Sequence, residues 1–210
     1  MNTVSTPARR IGLMGGSFDP VHVAHLALAQ VAIAHLSLDE VRWVPVGQAW
    51  QKSRQLADGM HRLAMTRLAT ADEPRFVVDD IELRRAGPSY TLDTVLALQA
   101  ARPGGDCFLI IGQDQYANLA TWHGWEALLT RVTLAVACRG DVPLAAPDGL
   151  KTHAHRVVSL PLPPMYVSST DIRARLHGGA DPLTLVPDLL PEGVARYIAN
   201  HQLYAPGAPR

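Results

Sequence analysis

"RRIGLMGGSFDPVHVAHLALAQ", residues 9–30, runs from an apolar stretch through two adjacent glycines into an alanine-rich segment that opens on a pair of histidines. The apolar part, "RRIGLMGG", reads as a buried strand, and "VAHLALAQVAIAHL", residues 23–36, as a helix. Gly15 and Gly16 allow a bound group to approach the backbone closely where the strand hands over to the helix. The first turn of that helix offers unpaired N–H groups and a partial positive charge, a ready site for an anion. His22 and His25, spaced i and i+3, share one face of the turn. Imidazoles hydrogen-bond phosphate oxygens, more strongly when protonated. Zinc ligation and ordinary core packing are the alternatives. Against zinc, no Cys or third His lies nearby and HExxH is absent.

The alternation continues outward from this crossover. "EVRWVPVG" (40–47), "PRFVVDDIEL" (74–83), "CFLIIG" (107–112), "VTLAVACR" (132–139) and "HRVVSLPL" (155–162) read as further strands. Between them, "DGMHRLAMTRLATA" (58–71) and "WEALLTR" (125–131) read as helices, as does "SYTLDTVLALQAAR" (89–102), which opens on Ser/Thr caps. "SSTDIRARLHGG" (168–179) and "PEGVARYIANHQLY" (191–204) add a short C-terminal helical segment, and residues 139–155 form the most loop-like stretch. Strands alternating with helices predict an α/β fold, a mostly parallel sheet covered by helices on both faces. Ligands of such sheets bind at the carboxyl ends of the strands, where strand order reverses. Residues 15–25 lie at such an end.

The 210 residues are expected to form one domain over positions 1–210, with no repeat and no linker. Lys plus Arg equals Asp plus Glu at 19 each, so no basic field exists to hold nucleic acid. No secretory signal and no membrane-length apolar run is visible, so a cytoplasmic protein with reduced, buried Cys107 and Cys138 is expected. Oligomeric state is left open. "GGSFD" fails GxSxG at its last position, "GQAWQKS" has Gln51 where a Walker A sequence needs glycine, and no GxGxxG occurs. These absences disfavour a serine hydrolase, a P-loop enzyme and a standard dinucleotide oxidoreductase.

"GGSFDPVHVAH", residues 15–25, resembles the GSFDPxHxGH signature of the HxGH nucleotidyltransferases, with Ala24 in place of the family's glycine. "VSSTDIR", residues 167–173, resembles their second signature, ISSTxIR. Three further stretches are similar to the bacterial nicotinate-nucleotide adenylyltransferase family: "VPVGQAWQKSR" (44–54), "GPSYTLDTV" (87–95) and "IIGQDQYANLATWHGWEALL" (110–129). In the first, Trp50 and Gln51 replace the usual Pro-His, and Lys52 keeps a cation. The resemblance implies a Rossmann-like, doubly wound fold and transfer of AMP from ATP to nicotinate mononucleotide, releasing pyrophosphate.

It also implies a division of residues. His22, His25, Lys52 and Arg173 would act on the phosphates. Gly15, Gly16, Ser17, Phe18, Gly112, Asp114, Ser168 and Ser169 would join His22, His25 and Arg173 in holding ATP. Ser17, Lys52, Thr91, Asp114, Trp122 and His123 would hold the mononucleotide, with the Trp122 indole as a stacking face. The Ser168–Thr170 hydroxyls also suit a helix N-cap, and Arg173 adds a guanidinium to make a phosphate clamp. Arg175 is expected to face solvent. No protein-built metal site is expected; Mg²⁺ would ride on substrate phosphates. The same chemistry on nicotinamide mononucleotide or phosphopantetheine is the nearest rival, and a non-catalytic nucleotide-binding module is the rival of another class.

Overall fold

The computed structural model describes residues 9–48, 56–139 and 144–207. Six strands form one sheet: β1 (Arg10–Gly16), β2 (Glu40–Pro45), β3 (Phe76–Val78), β4 (Asp106–Gly112), β5 (Thr133–Arg139) and β6 (Arg156–Leu162). Their order is β3-β2-β1-β4-β5-β6, and every pairing is parallel. The helices are α1 (Val23–Leu36), α2 (Gly59–Thr70), α3 (Thr91–Ala101), α4 (Gln113–Ala117), α5 (Trp125–Arg131), α6 (Ser169–His177) and α7 (Glu192–Asn200). This is a Rossmann-like, doubly wound arrangement. Strand order reverses between β1 and β4, so a crevice opens beyond Gly16 and Gly112.

Alternation along each strand sorts the core into two layers. Met14, Val41, Trp43, Phe108 and Ile110 face one side, packed with α1, α2, α6 and α7. Leu13, Val44, Leu109, Ile111, Leu134 and Val136 face the other, packed with α3, α4 and α5. The alanines of α1 explain its closeness to the sheet: Ala29 and Ala32 are fully buried beside Leu28, Ile33 and Leu36. The C-terminal helical segment closes the first layer, since Leu190, Val194, Ala195 and Ile198 are all 0% exposed.

Several expectations need correction. β3 is only three residues long, because Asp79 turns aside after its N–H bonds the Trp43 carbonyl. α3 does not open on a Ser/Thr cap; Tyr90 occupies the N-cap position and makes no side-chain capping bond. α4, one five-residue turn, carries too little apolar periodicity to be read from sequence. Both cysteines are free thiols, but only Cys138 is buried; Cys107, near the start of β4, is half-buried. Lys52, Trp50 and Gln51 lie outside the described residues. Among the described residues, no helix is long and apolar enough to cross a membrane.

Candidate active site

The chain leaves β1 at Gly16, where a Cβ would press on the Phe18 ring at 3.0 Å. Phe18 takes φ 45°, a left-handed conformation that non-glycine residues adopt only when the surroundings hold them there. Its ring, 1% exposed, is what holds it. One edge meets the His25 imidazole at 5.2 Å, and the Trp43 indole lies 5.4 Å away. Strain in the loop is thus coupled to a wall behind His25.

His22 is the N-cap residue of α1, and its backbone N–H donates to His25 Nδ1 at 3.2 Å. With Nδ1 accepting, the neutral His25 ring carries its proton on Nε2 and presents a donor there. The two imidazoles stack with centroids 3.7 Å apart. Burial lowers the His22 pKa to about 4, so this ring is neutral at pH 7. The pair therefore includes at least one uncharged ring, which accords with its place beside the positive end of a helix.

The second signature reaches the same loop from the far end of the chain. Ser168 caps α6 by accepting from the Asp171 N–H at 3.1 Å. Ser169 Oγ donates to the Pro20 carbonyl at 3.0 Å, and Arg173 Nη1 donates to the Asp19 carbonyl at 2.6 Å. Arg173 Nη2 also donates to Thr170 Oγ1 at 3.2 Å. Two residues on, Arg175 faces outward, as expected, and there it pairs with Asp171.

Arg62, which no motif flags, sits under the loop. It is 2% exposed and donates to the carbonyls of Ser17, Val46 and Ala57 at 3.0, 2.7 and 2.9 Å. It thereby ties the exits of β1 and β2 to the start of α2.

Beside this loop a cavity opens at the carboxyl ends of β1, β2 and β4. Gly15, Gly16, Ser17, Thr91, Trp122 and His123 line it, together with Glu82, Ser89, Tyr90, Thr94 and Gln115. Phe18, His22, His25, Gly112, Asp114, Ser168, Ser169 and Arg173 are not part of that lining. Asp114 lies in the first turn of α4 with its side chain exposed, whereas its neighbour Gln115 reaches the cavity and accepts from the Gly112 N–H at 3.1 Å. Tyr90 and His123 stack at 4.1 Å, making an aromatic wall next to Trp122.

Glu82, also missed in sequence, is 7% exposed and accepts from Thr94 Oγ1 at 2.7 Å. Burial raises its pKa against the opposing pull of Thr94 and Arg85. Gly47 is required beside it, since a Cβ there would lie 2.1 Å from the Glu82 carbonyl oxygen.

A cytidylyltransferase-like family model matches residues 13–175. A protein of Methylibium petroleiphilum described as a probable nicotinate-nucleotide adenylyltransferase is 53% identical over 202 residues, 96% of this chain and 95% of its own. This chain belongs to the nicotinate-nucleotide adenylyltransferase family. A relative of the same description from Bordetella petrii is 48% identical, covering 93% of this chain and 99% of its own. The fold agrees at greater distance. Plasmodium falciparum nicotinic acid mononucleotide adenylyltransferase complexed with NaAD superposes with a TM-score of 0.76 at 19% identity, covering 93% of this chain and 97% of that one.

Proposed function

We propose that this chain performs its family's reaction with the triphosphate on the loop between β1 and α1 and the pyridine nucleotide in the adjoining cavity. The whole of residues 1–210 is taken as one nucleotidyltransferase domain. The 5′-phosphate of nicotinate mononucleotide attacks the α-phosphorus of ATP in line. A new P–O bond forms as the bond to the bridging oxygen of pyrophosphate breaks, yielding the deamido dinucleotide. The nucleophile is already an anion, so no general base is needed. Catalysis is positioning plus stabilisation of charge that develops on the phosphates. His22, His25 and Arg173 face that charge, with Lys52 assigned as a further cation. Gly15, Gly16, Ser17, Phe18, Gly112, Ser168 and Ser169 shape the ATP site; the exposed Asp114 is assigned to a ribose hydroxyl.

In the cavity, Trp122 supplies a stacking face, and the N-terminus of α3 at Thr91 supplies backbone donors suited to a carboxylate. Among the described residues no three His, Cys, Asp or Glu side chains gather as metal ligands. An Mg²⁺ would be held by substrate oxygens and water, where it would neutralise phosphate charge.

The single observation that carries this reading is the direct bonding of Ser169 and Arg173 to the Pro20 and Asp19 carbonyls beside the cavity. Purified protein with ATP and Mg²⁺ should release pyrophosphate with nicotinate mononucleotide faster than with nicotinamide mononucleotide or phosphopantetheine. Preference for another acceptor would redirect the reading to a rival substrate. Release with none would leave a non-catalytic binding module.

A further inference from the structure

Three stretches of chain meet at the wall of the cavity, and a carboxylate lies at their junction. The exit of β2 contributes Val46, the segment before α3 contributes Ser89, and the first turn of α3 contributes Thr91 and Thr94. These stretches are laced together. The Ser89 N–H donates to the Gln48 carbonyl at 3.1 Å, and Gln48 forms an isolated parallel bridge with Pro88. Gly47 comes so close that a Cβ there would lie 2.9 Å from Ser89 Oγ. Glu82 occupies the junction. Its Oε1 accepts from Thr94 Oγ1 at 2.7 Å, and that hydroxyl in turn accepts from Arg85 Nη1 at 3.3 Å. The Gly47 N–H and the Ser89 hydroxyl also favour the charged form of the carboxyl. Glu82, Ser89 and Thr94 are all buried.

We propose that Glu82 is a positioning residue for the mononucleotide, fixing the N-terminus of α3 against the exit of β2 through Thr94 and Gly47. This rests on the assignment of the mononucleotide to the cavity. Burying a carboxylate costs free energy unless donors surround it, so an apolar residue would serve packing at less cost. What a carboxylate adds is acceptor capacity, two oxygens with about four lone-pair sites and no donor. It takes the Thr94 hydroxyl and the Gly47 N–H together. Glutamine, of nearly the same size, has one such oxygen and sets an NH2 group against whichever donor remains. Thr91 lies in the same helical turn as Thr94, so a shift of one moves the other. Hydrogen bonds weaken steeply as their angle closes, and a small rotation of α3 spoils the aim of the Thr91 donors at a carboxylate. None of these contacts involves the loop between β1 and α1, so ATP is affected far less.

The test is Glu82→Gln together with two substitutions at its partner, Thr94→Val and Thr94→Ser. Mg-ATP and nicotinate mononucleotide affinities are measured by titration calorimetry in the unaltered chain, in each variant, in the Glu82→Gln/Thr94→Val double variant and in Trp122→Ala. Thermal unfolding is followed in each. Glu82→Gln should weaken the mononucleotide about tenfold, the scale of one lost charge-assisted contact. ATP affinity should stay within about twofold, as for a site that shares no partner with the change. Thr94→Val should act in the same direction. Thr94→Ser keeps the hydroxyl and should stay within about twofold of the unaltered chain. The double variant should be weaker than the poorer single one by less than about twofold, because both substitutions break one connection.

Equal weakening of both ligands would overturn the proposal, since a general loosening of the fold would do that. So would a lowered melting temperature with unchanged mononucleotide affinity, or fully additive effects in the double variant. If Glu82→Gln does not fold, the Thr94 pair decides: Thr94→Val weakened and Thr94→Ser restored uphold the proposal, and equal affinities overturn it. Unaltered mononucleotide affinity in Trp122→Ala would instead sink the assignment of the cavity. An impaired Trp122→Ala beside a silent Glu82→Gln would sink the Glu82 proposal alone.

Discussion

At the scale of single residues, the two histidines differ in their surroundings. His25 leans on the edge of Phe18 and has its Nδ1 engaged by the His22 N–H, which leaves Nε2 as its donor. Replacing it with Ala should lower kcat by on the order of a hundredfold, the scale of losing one preorganised donor to transition-state charge. Circular dichroism should show the fold intact; undiminished turnover in a folded variant would remove the assigned role. His22 makes a different prediction, through stability. Its folded pKa is about 4 against an ordinary 6.5. Above the ordinary value both folded and unfolded chains leave it neutral, so nothing changes there. As pH falls from 6.5 toward 4, the unfolded chain takes up a proton that the folded one refuses. Stability should drop by up to about 3 kcal/mol across that window and level off below it. Urea midpoints at several pH values should show this component in the native chain and lose it in His22→Gln. Equal pH slopes in the two proteins would contradict the assignment of burial as the cause.

At the scale of elements, legibility tracked the distance over which a residue's partners lie. The bounds of α1 and α5 follow from the sequence pattern to the residue, since apolar spacing and flanking turn signals are local. The two signatures were legible for the same reason: each is a short run whose residue types suit an anion. What lay hidden were groups whose partners are backbone atoms far away. Arg62 reads as a polar position on an amphipathic helix, yet it is buried under three carbonyls from two other segments. Glu82 lies in a run that reads simply as strand, yet it lines the cavity beside Thr94. Asp114 and Gln115 are adjacent and both exposed, and only the rotation of α4 decides which one lines the cavity. Arg62→Met should test the bracing role of α2. It leaves the Ser17, Val46 and Ala57 carbonyls without that donor, and burying such groups unpaired costs about 1–3 kcal/mol each before relaxation. A fall in melting temperature with a raised KM for ATP is expected, because Ser17 belongs to the loop being held. An unchanged melting temperature would show that the three bonds do not brace the loop.

At the scale of the whole molecule, the parallel sheet separates chemistry from support. Both signatures and the cavity gather at the carboxyl ends of the strands, and a buried ion cluster sits at the amino ends. Glu40, the first residue of β2, is 3% exposed and pairs with Arg9, Arg42 and Arg102. Burial alone would raise its pKa, but the Arg102 and Arg42 guanidinium groups outweigh it and hold the carboxyl below its ordinary range. The carboxylate therefore contributes stability that is present at neutral pH and is lost as pH falls through its depressed folded value. Glu40→Gln removes the charge, keeps the shape and leaves three arginines facing one another. Because Arg9 and Arg102 are partly solvated, the expected loss is about 2 kcal/mol, less than for a fully enclosed ion pair. The five residue steps of β2 from Glu40 to Pro45 span about 17 Å, beyond the screening length of about 8 Å at physiological salt. Steady-state kinetics of Glu40→Gln well below its melting point should therefore match the native chain in kcat and in both KM values. A changed KM for either substrate would mean that the two ends of the sheet are coupled.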